Sequence, residues 1–250
     1  MRSHRVFLSR PVSGAQTITT DQATAHYLSR VLRLRPGAAL TVFDGTGGEY
    51  AATLTSSTRD KAELDIGEHR DRERESPLEL TLAQGIARGE RMDLVLQKAT
   101  ELGVSCIVPL LTDHTVVRLD RDRAEKRHTH WQKIAISACE QCGRNRLPQV
   151  CRPCGIDDWL ESLPDSGMRL VLQPDAAIPL SELATDPACD PGSQGITVLI
   201  GPEGGLSQRE HEIAMARDFR PVALGPRILR TETAALAALA IVQSRWGDAG

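Results

Sequence analysis

The 250-residue chain is 40% hydrophobic and 25% charged, the make-up of an ordinary globular protein with room for one large domain or for a small and a medium one. A net charge of −3 excludes a generally basic nucleic-acid coat, so any such contact must be local, and aromatics at 3% argue against a base-stacking platform. The N-terminus is too polar for a signal peptide and the longest apolar run, Ala234 to Val242, is too short for a bilayer; a cytoplasmic protein with reduced cysteines and no membrane partner is expected.

The first seventy residues predict a separate β-rich module. Arg5–Leu8 reads as a strand, and Thr20 or Asp21 can cap a short helix from about Gln22 to Leu32. Ala39–Phe43 and Tyr50–Leu54 flank Asp44-Gly45-Thr46-Gly47-Gly48, a hairpin signal; with no Gly-Lys-Ser/Thr behind it, this is a turn and not a phosphate loop. Lys61–Ile66 alternates polar and apolar, as a further strand would. Arg2, Arg5, Arg10, Arg30, Arg33 and Arg35 face a single acid, Asp21, over the first 35 residues. Two readings stay open: a solvated surface, or a phosphate-contacting face, for which the planar fork of arginine is well suited. Arg70–Pro77 is polar, mixed in sign and closed by proline, so it reads as a linker between a first domain at 1–72 and a second at 73–250.

Beyond it, strands and helices alternate. Leu78–Ala83, Ile107–Leu111, Arg169–Leu172, Gly195–Ile200 and Pro221–Leu224 are apolar runs of strand length. Between them, helices are predicted from Met92 to a stop at Gly103, from Arg121 to Cys142, over Asp157–Leu163, and from a Ser207 cap to about Asp218. Thr231 or Thr233 begins a last helix that is apolar nearly all round and therefore buried. The alternation predicts an α/β domain with a mostly parallel sheet covered on both faces.

Three constellations carry chemistry. Cys139-x2-Cys142 and Cys151-x2-Cys154 could hold zinc, but Cys142 lies on an apolar helix face and the gap between the pairs is shorter than in zinc ribbons, so no metal is expected. At the end of that helix, Arg144, Asn145 and Arg146 follow Gln141 and Gly143, either as a helix cap with favourably placed cations or as an anion contact. Third, Ile200-Gly201-Pro202-Glu203-Gly204-Gly205 and Leu224-Gly225-Pro226-Arg227-Ile228-Leu229-Arg230-Thr231-Glu232-Thr233-Ala234 each open where a strand ends, as does Leu172-Gln173-Pro174. Glycine-lined loops with apolar walls and no polyphosphate motif suit a nucleoside, and Arg227, Arg230 and Glu232 crowd against them.

The last two long motifs resemble the signature of the SPOUT (trefoil-knot) RNA methyltransferases, and in particular the branch that methylates N3 of a uridine in 16S ribosomal RNA. Gln97–Gly103, His114–Val117, Trp131–Ala135 and Glu140–Pro148 extend the resemblance along the chain. It implies a small PUA-like β-barrel followed by a knotted α/β domain, S-adenosylmethionine held by the loops around Leu172, Gly201 and Leu224, and a homodimer. It also implies the small ribosomal subunit as partner. On that footing Arg230, with Arg227, stabilises negative charge on the uracil, while Glu232 is either the base or the orienter of Arg230. The N-terminal arginines with Arg144, Asn145 and Arg146 would then contact RNA. Two competing expectations are a SPOUT enzyme acting on a ribose 2′-OH and a zinc-stabilised RNA-binding module without catalysis.

Overall fold

In a computed structural model of the chain, residues 4–116, 120–183 and 194–250 are described; Arg2 and Val117 lie outside them. The chain falls into two compact units, one of Met1–Glu75 with Cys139–Leu147, the other of Ser76–Ala138 with Pro148–Gly250.

The first unit is built on β1 (His4–Phe7), β2 (Thr17–Thr19), α1 (Gln22–His26), β3 (Ala39–Phe43), β4 (Glu49–Ser57) and β5 (Ala62–Arg70). The strands form one sheet in the order β1-β3-β4-β5-β2, antiparallel except for β1 beside β3. Period-2 patterning sets its faces: Leu40 and Val42 on β3, and Ala62 and Leu64 on β5, turn into a core with Val6, Ile18, Leu28 and Leu54. Asp21 caps α1 by accepting from Thr24 N–H, and the expected single helix to Leu32 instead passes into a π-helical turn at Tyr27–Val31. The β3–β4 hairpin turns on Asp44, whose carboxylate accepts from Val12 N–H at 2.9 Å and Thr46 N–H at 3.1 Å.

The second unit alternates as expected: β6 (Leu80–Gly85), α2 (Glu90–Glu101), β7 (Cys106–Leu111), α3 (Arg121–Cys142, which from Cys139 on belongs to the first unit), β8 (Gln149–Val150), β9 (Cys154–Gly155) and α4 (Ile156–Glu161). β10 (Met168–Leu172), α5 (Leu180–Leu183), β11 (Ile196–Ile200), α6 (Gln208–Ala216), β12 (Arg220–Val222) and α7 (Thr231–Trp246) complete it. The sheet runs β12-β10-β11-β6-β7-β8, with β9 also on β7, and every pairing is parallel. Continuous apolar runs therefore split residue by residue between two cores. Leu82, Ile107, Leu170 and Val198 face the core that holds Trp131 of α3, Val95 of α2 and Leu239 of α7. Ala83, Val108, Val171 and Leu199 face the other, with Trp159 of α4 and Ala214 of α6. No helix among the described residues is long and apolar enough to cross a membrane.

Candidate active site at the strand ends

β6, β11, β10 and β12 are neighbours, and because all run the same way their carboxyl ends at Gly85, Ile200, Leu172 and Val222 share one edge of the sheet. There Leu172, Gln173, Pro174, Leu224, Gly225, Arg227, Leu229 and Ala234 line a single cleft. Val222, which sequence reasoning left out, lines it too; it is the last residue of β12, inside an apolar run already taken as a strand.

Ile200, Gly201, Pro202, Glu203, Gly204, Gly205, Ile228, Thr231 and Thr233 do not line that cleft; they form the loop after β11 and the entry to α7. The loop turns back sharply, with Gly205 N–H donating to Pro202 O at 2.9 Å. A Cβ on Gly201 would come within 2.8 Å of Gly205 C and Leu206 N, so only glycine fits this fold-back. A buried node fixes the loop from below. Thr231 Oγ1 donates to Gly201 O at 2.7 Å, and Gln84 Nε2 donates to Thr231 Oγ1 at 2.9 Å and Gly85 O at 2.9 Å. The end of β6, the loop after β11 and the start of α7 are thus tied together. His114 Nδ1 lies 2.9 Å from Gly204 O, near enough to donate when that nitrogen carries the proton.

Arg91, in the first turn of α2, is the organising cation that sequence reasoning missed. Its Nη1 donates to Glu203 Oε1 at 2.8 Å, and its Nε lies 3.9 Å from Glu232 Oε1. Burial works to raise the Glu203 carboxyl, but hydrogen bonds from Arg88 N–H and Arg91, with the Arg91 charge, hold it below the usual value. Glu232 is buried, and its Oε2 has no hydrogen-bond partner. The nearest cation to this carboxylate is Arg91, and among the described residues no ion pair joins it to Arg230. Arg227 and Arg230 are exposed and form no ion pair among the described residues, and Ile228 between them is 88% exposed.

The candidate RNA contacts separate into two groups. Arg10, Arg30, Arg33 and Arg35 lie exposed. Arg5, Arg144 and Asn145 are engaged within the first unit, the two arginines by ion pairs and Asn145 by hydrogen bonds. Arg5 pairs with Glu49, donates to Asn145 Oδ1 at 2.6 Å and lies over the Phe43 ring. Arg144, 5% exposed, pairs with Glu75 at 2.6 Å, and Asn145 donates to Arg72 O. Arg146 is half-exposed but paired with Glu73 at 2.7 Å. Glu73 and Glu75 come from the stretch read as a linker, so its carboxylates act as a strap, whereas Glu49 belongs to β4. Glu140 adds to the same assembly by accepting from Phe7 N–H at 3.0 Å and Tyr27 O–H at 3.1 Å.

The four cysteines of the two Cys-x2-Cys pairs do not converge. Cys139 lies 3.7 Å from Arg146 O, whereas Cys151 meets Cys106, which the motif did not include. Among the described residues no group of three or more His, Cys, Asp or Glu is arranged to hold a metal ion.

Comparison with known proteins gives this geometry its context. Residues 74–243 match the RNA methyltransferase domain and residues 20–67 the RNA methyltransferase PUA domain. The ribosomal RNA small subunit methyltransferase E of Neisseria gonorrhoeae, solved bound to S-adenosyl methionine, is 39% identical with a TM-score of 0.89 over 99% of both chains. A Legionella pneumophila methyltransferase in complex with SAM is 34% identical with a TM-score of 0.91, over 99% of this chain and 100% of that one. The ribosomal RNA small subunit methyltransferase E of Buchnera aphidicola (from Schizaphis graminum) is 33% identical, over 99% of this chain and 98% of its own length. That of Bacillus subtilis is 30% identical over 92% and 91%. The parallel sheet, its converging loops and the preceding β-unit define a SPOUT-class RNA methyltransferase with a PUA-like domain. Within that class the chain belongs to the ribosomal RNA small subunit methyltransferase E family.

Proposed function

We propose that this protein transfers a methyl group from S-adenosylmethionine to N3 of a uridine in the 16S RNA of the small ribosomal subunit. The observation that carries the reading is the cleft at the ends of β10 and β12, with Arg227 and Arg230 exposed on the same loop and in no ion pair among the described residues. Its residues fit the cofactor. Leu172, Leu224, Leu229 and Ala234 give apolar walls for an adenine, while strand-end backbone supplies donors and acceptors for a ribose and for an amino-acid tail. When bound, S-adenosylmethionine supplies an electrophilic methyl group on a sulfonium centre. Two relatives were solved with that molecule, and one of them, like the Buchnera relative, bears the name of a small-subunit ribosomal RNA methyltransferase.

The chain's own residues have three tasks. Arg230 and Arg227 donate to the uracil carbonyl oxygens, where negative charge grows as N3 loses its proton. Glu232, buried in the first turn of α7 with one oxygen lacking a partner, is the carboxylate available to accept that proton or to hold Arg91. Arg91 bonds Glu203, which fixes the loop after β11 against the start of α2. The resemblance of the two C-terminal motifs also supports a homodimer, and the exposed Ile228 is an apolar side chain that such packing would cover.

Incubation with methyl-labelled S-adenosylmethionine and unmodified small subunits, followed by mass spectrometry of digested RNA, tests the reading. The expected product is 3-methyluridine. Methyl on a ribose oxygen moves the enzyme to a different branch of its class, and an absence of transfer to any ribosomal substrate overturns the proposal. Sedimentation velocity of the purified protein tests the dimer separately.

A further inference from the structure

Away from the strand-end cleft, Cys106 on β7 and Cys151 just past β8 bring their sulfurs to 3.8 Å. The sheet creates this approach. Cys106 pairs with Gln149 in the β7–β8 ladder, and Cys151 N–H continues the ladder by donating to Ile107 O at 2.9 Å. Two residues on from Gln149, the Cys151 side chain returns to the face that carries Cys106. Both side chains are only partly buried, at the margin of the core that contains Trp159 and Leu160, and neither takes part in the methyl-transfer reading.

We propose that Cys106 and Cys151 form a peroxide-reactive dithiol, a modification site that closes reversibly to a disulfide. Several features distinguish it from the other described cysteines. The hydrogen bond between the two thiols favours the thiolate at Cys151 against the opposing effect of burial, and it raises Cys106, its proton-holding partner. Burial instead pushes the Cys139 thiol up to about 12, and Cys139 faces the carbonyl of Arg146. Cys154 is pushed up to about 11, first by burial and then by the charge of Cys151.

In the first step the Cys151 thiolate uses an electron pair to attack one oxygen of hydrogen peroxide; an S–O bond forms, the O–O bond breaks and hydroxide leaves. The resulting sulfenic acid is then attacked by the Cys106 sulfur: an S–S bond forms, the S–O bond breaks, and the Cys106 proton leaves with the departing oxygen as water. Two thiol sulfurs are oxidised by two electrons in total, and the two peroxide oxygens are reduced. Closing the bond must bring the sulfurs from 3.8 Å to about 2.05 Å, the covalent distance. Because the two residues sit diagonally in the ladder, it calls for movement of the chain just past β8 as well as side-chain rotation. The bond clips together the two ends of the chain excursion that carries α3.

The test treats the full-length protein with hydrogen peroxide, alkylates remaining thiols and maps the cysteines by mass spectrometry. The expected result is loss of two of the six thiols per chain, restored by dithiothreitol, with the Cys106 and Cys151 peptides cross-linked. Cys106→Ser should leave a dimedone-trappable sulfenic acid at Cys151 and no internal cross-link, and Cys151→Ser should show neither. Circular dichroism of both variants accompanies the mapping; if a variant fails to fold, the wild-type map alone decides. Oxidation spread evenly over the cysteines, a Cys151–Cys154 link, or a Cys151 no more reactive than in denatured chain overturns the proposal.

Discussion

Arg227 and Arg230 leave the loop after β12 with their side chains exposed, while Arg91 spends its guanidinium on two carboxylates. That difference predicts different consequences of removal. The double variant Arg227→Ala, Arg230→Ala breaks no ion pair among the described residues, so its unfolding free energy should stay within about 0.5 kcal/mol of the parent. Its single-turnover methyl transfer should fall by about 10²–10³-fold, the scale for losing charge-stabilising donors at a reacting oxygen. Transfer at the parental rate would return both arginines to the status of surface cations. Arg91→Ala removes a partly exposed pair worth at most about 1 kcal/mol of stability. Its expected effect is functional: weaker binding of S-adenosylmethionine by calorimetry, because the loop carrying Glu203 loses its anchor on α2. Arg91→Lys should recover only part of the affinity, since an ammonium cannot use two nitrogens on Glu203 and Glu232 together.

The elements nearest the cleft are held by close backbone approach, and this too is testable. Gly201→Ala forces a Cβ onto Gly205 C and Leu206 N at 2.8 Å, and neither is the end of a flexible side chain. A loss of about 1–3 kcal/mol of stability, with reduced cofactor affinity, is expected from thermal unfolding and calorimetry. Gly225→Ala is the informative contrast: φ is +93° but nothing lies within 4 Å of the new Cβ, so the cost is backbone strain alone, about 1–2 kcal/mol. Elements of this kind were legible in the sequence where the signal is local. The ends of α3 fall at Arg121 and Cys142 as expected, because Gly143 at φ +94° stops the helix where its lack of a side chain predicts. The Ser207 cap on α6 likewise forms a full capping box with Glu210. By contrast, β2, β8 and β9 are too short to show a period of two. Pairings at long separation left no mark at all. Arg91 meets Glu203 across 112 positions and Arg5 meets Asn145 across 140, so charge alone could not tell a solvated arginine from a paired one.

At the scale of the whole molecule, protonation and salt report on the assembly inside the first unit and on its outer charge. Burial, then the charge and hydrogen bond of Glu140, raise the Tyr27 phenol from 10.0 to about 12. A group raised on folding stabilises fully below its unfolded value and loses that contribution as pH climbs through the folded one. Denaturant unfolding should therefore show stability falling between about pH 10 and 12, with a shallower fall in Tyr27→Phe; equal slopes would remove Tyr27 from the cause. The outer charge has a different signature. A chain of net charge −3 can grip a polyanion only through a local cluster, and Arg30, Arg33 and Arg35 lie exposed and unpaired among the described residues, whereas Arg144 is closed against Glu75. If these three arginines each neutralise a phosphate, replacing all three with alanine should reduce the slope of log affinity against log salt by about 2–3, at roughly 0.7–0.9 per phosphate. Arg144→Ala should leave that slope unchanged and instead cost about 3 kcal/mol of stability, because Glu75 is left without its cation in a partly closed setting. Binding isotherms with small-subunit RNA across a salt series, set beside denaturation curves of both variants, separate the two roles. An unchanged slope in the triple variant would place the RNA-facing charge elsewhere, and an undiminished stability in Arg144→Ala would mean that the Glu75 strap is incidental.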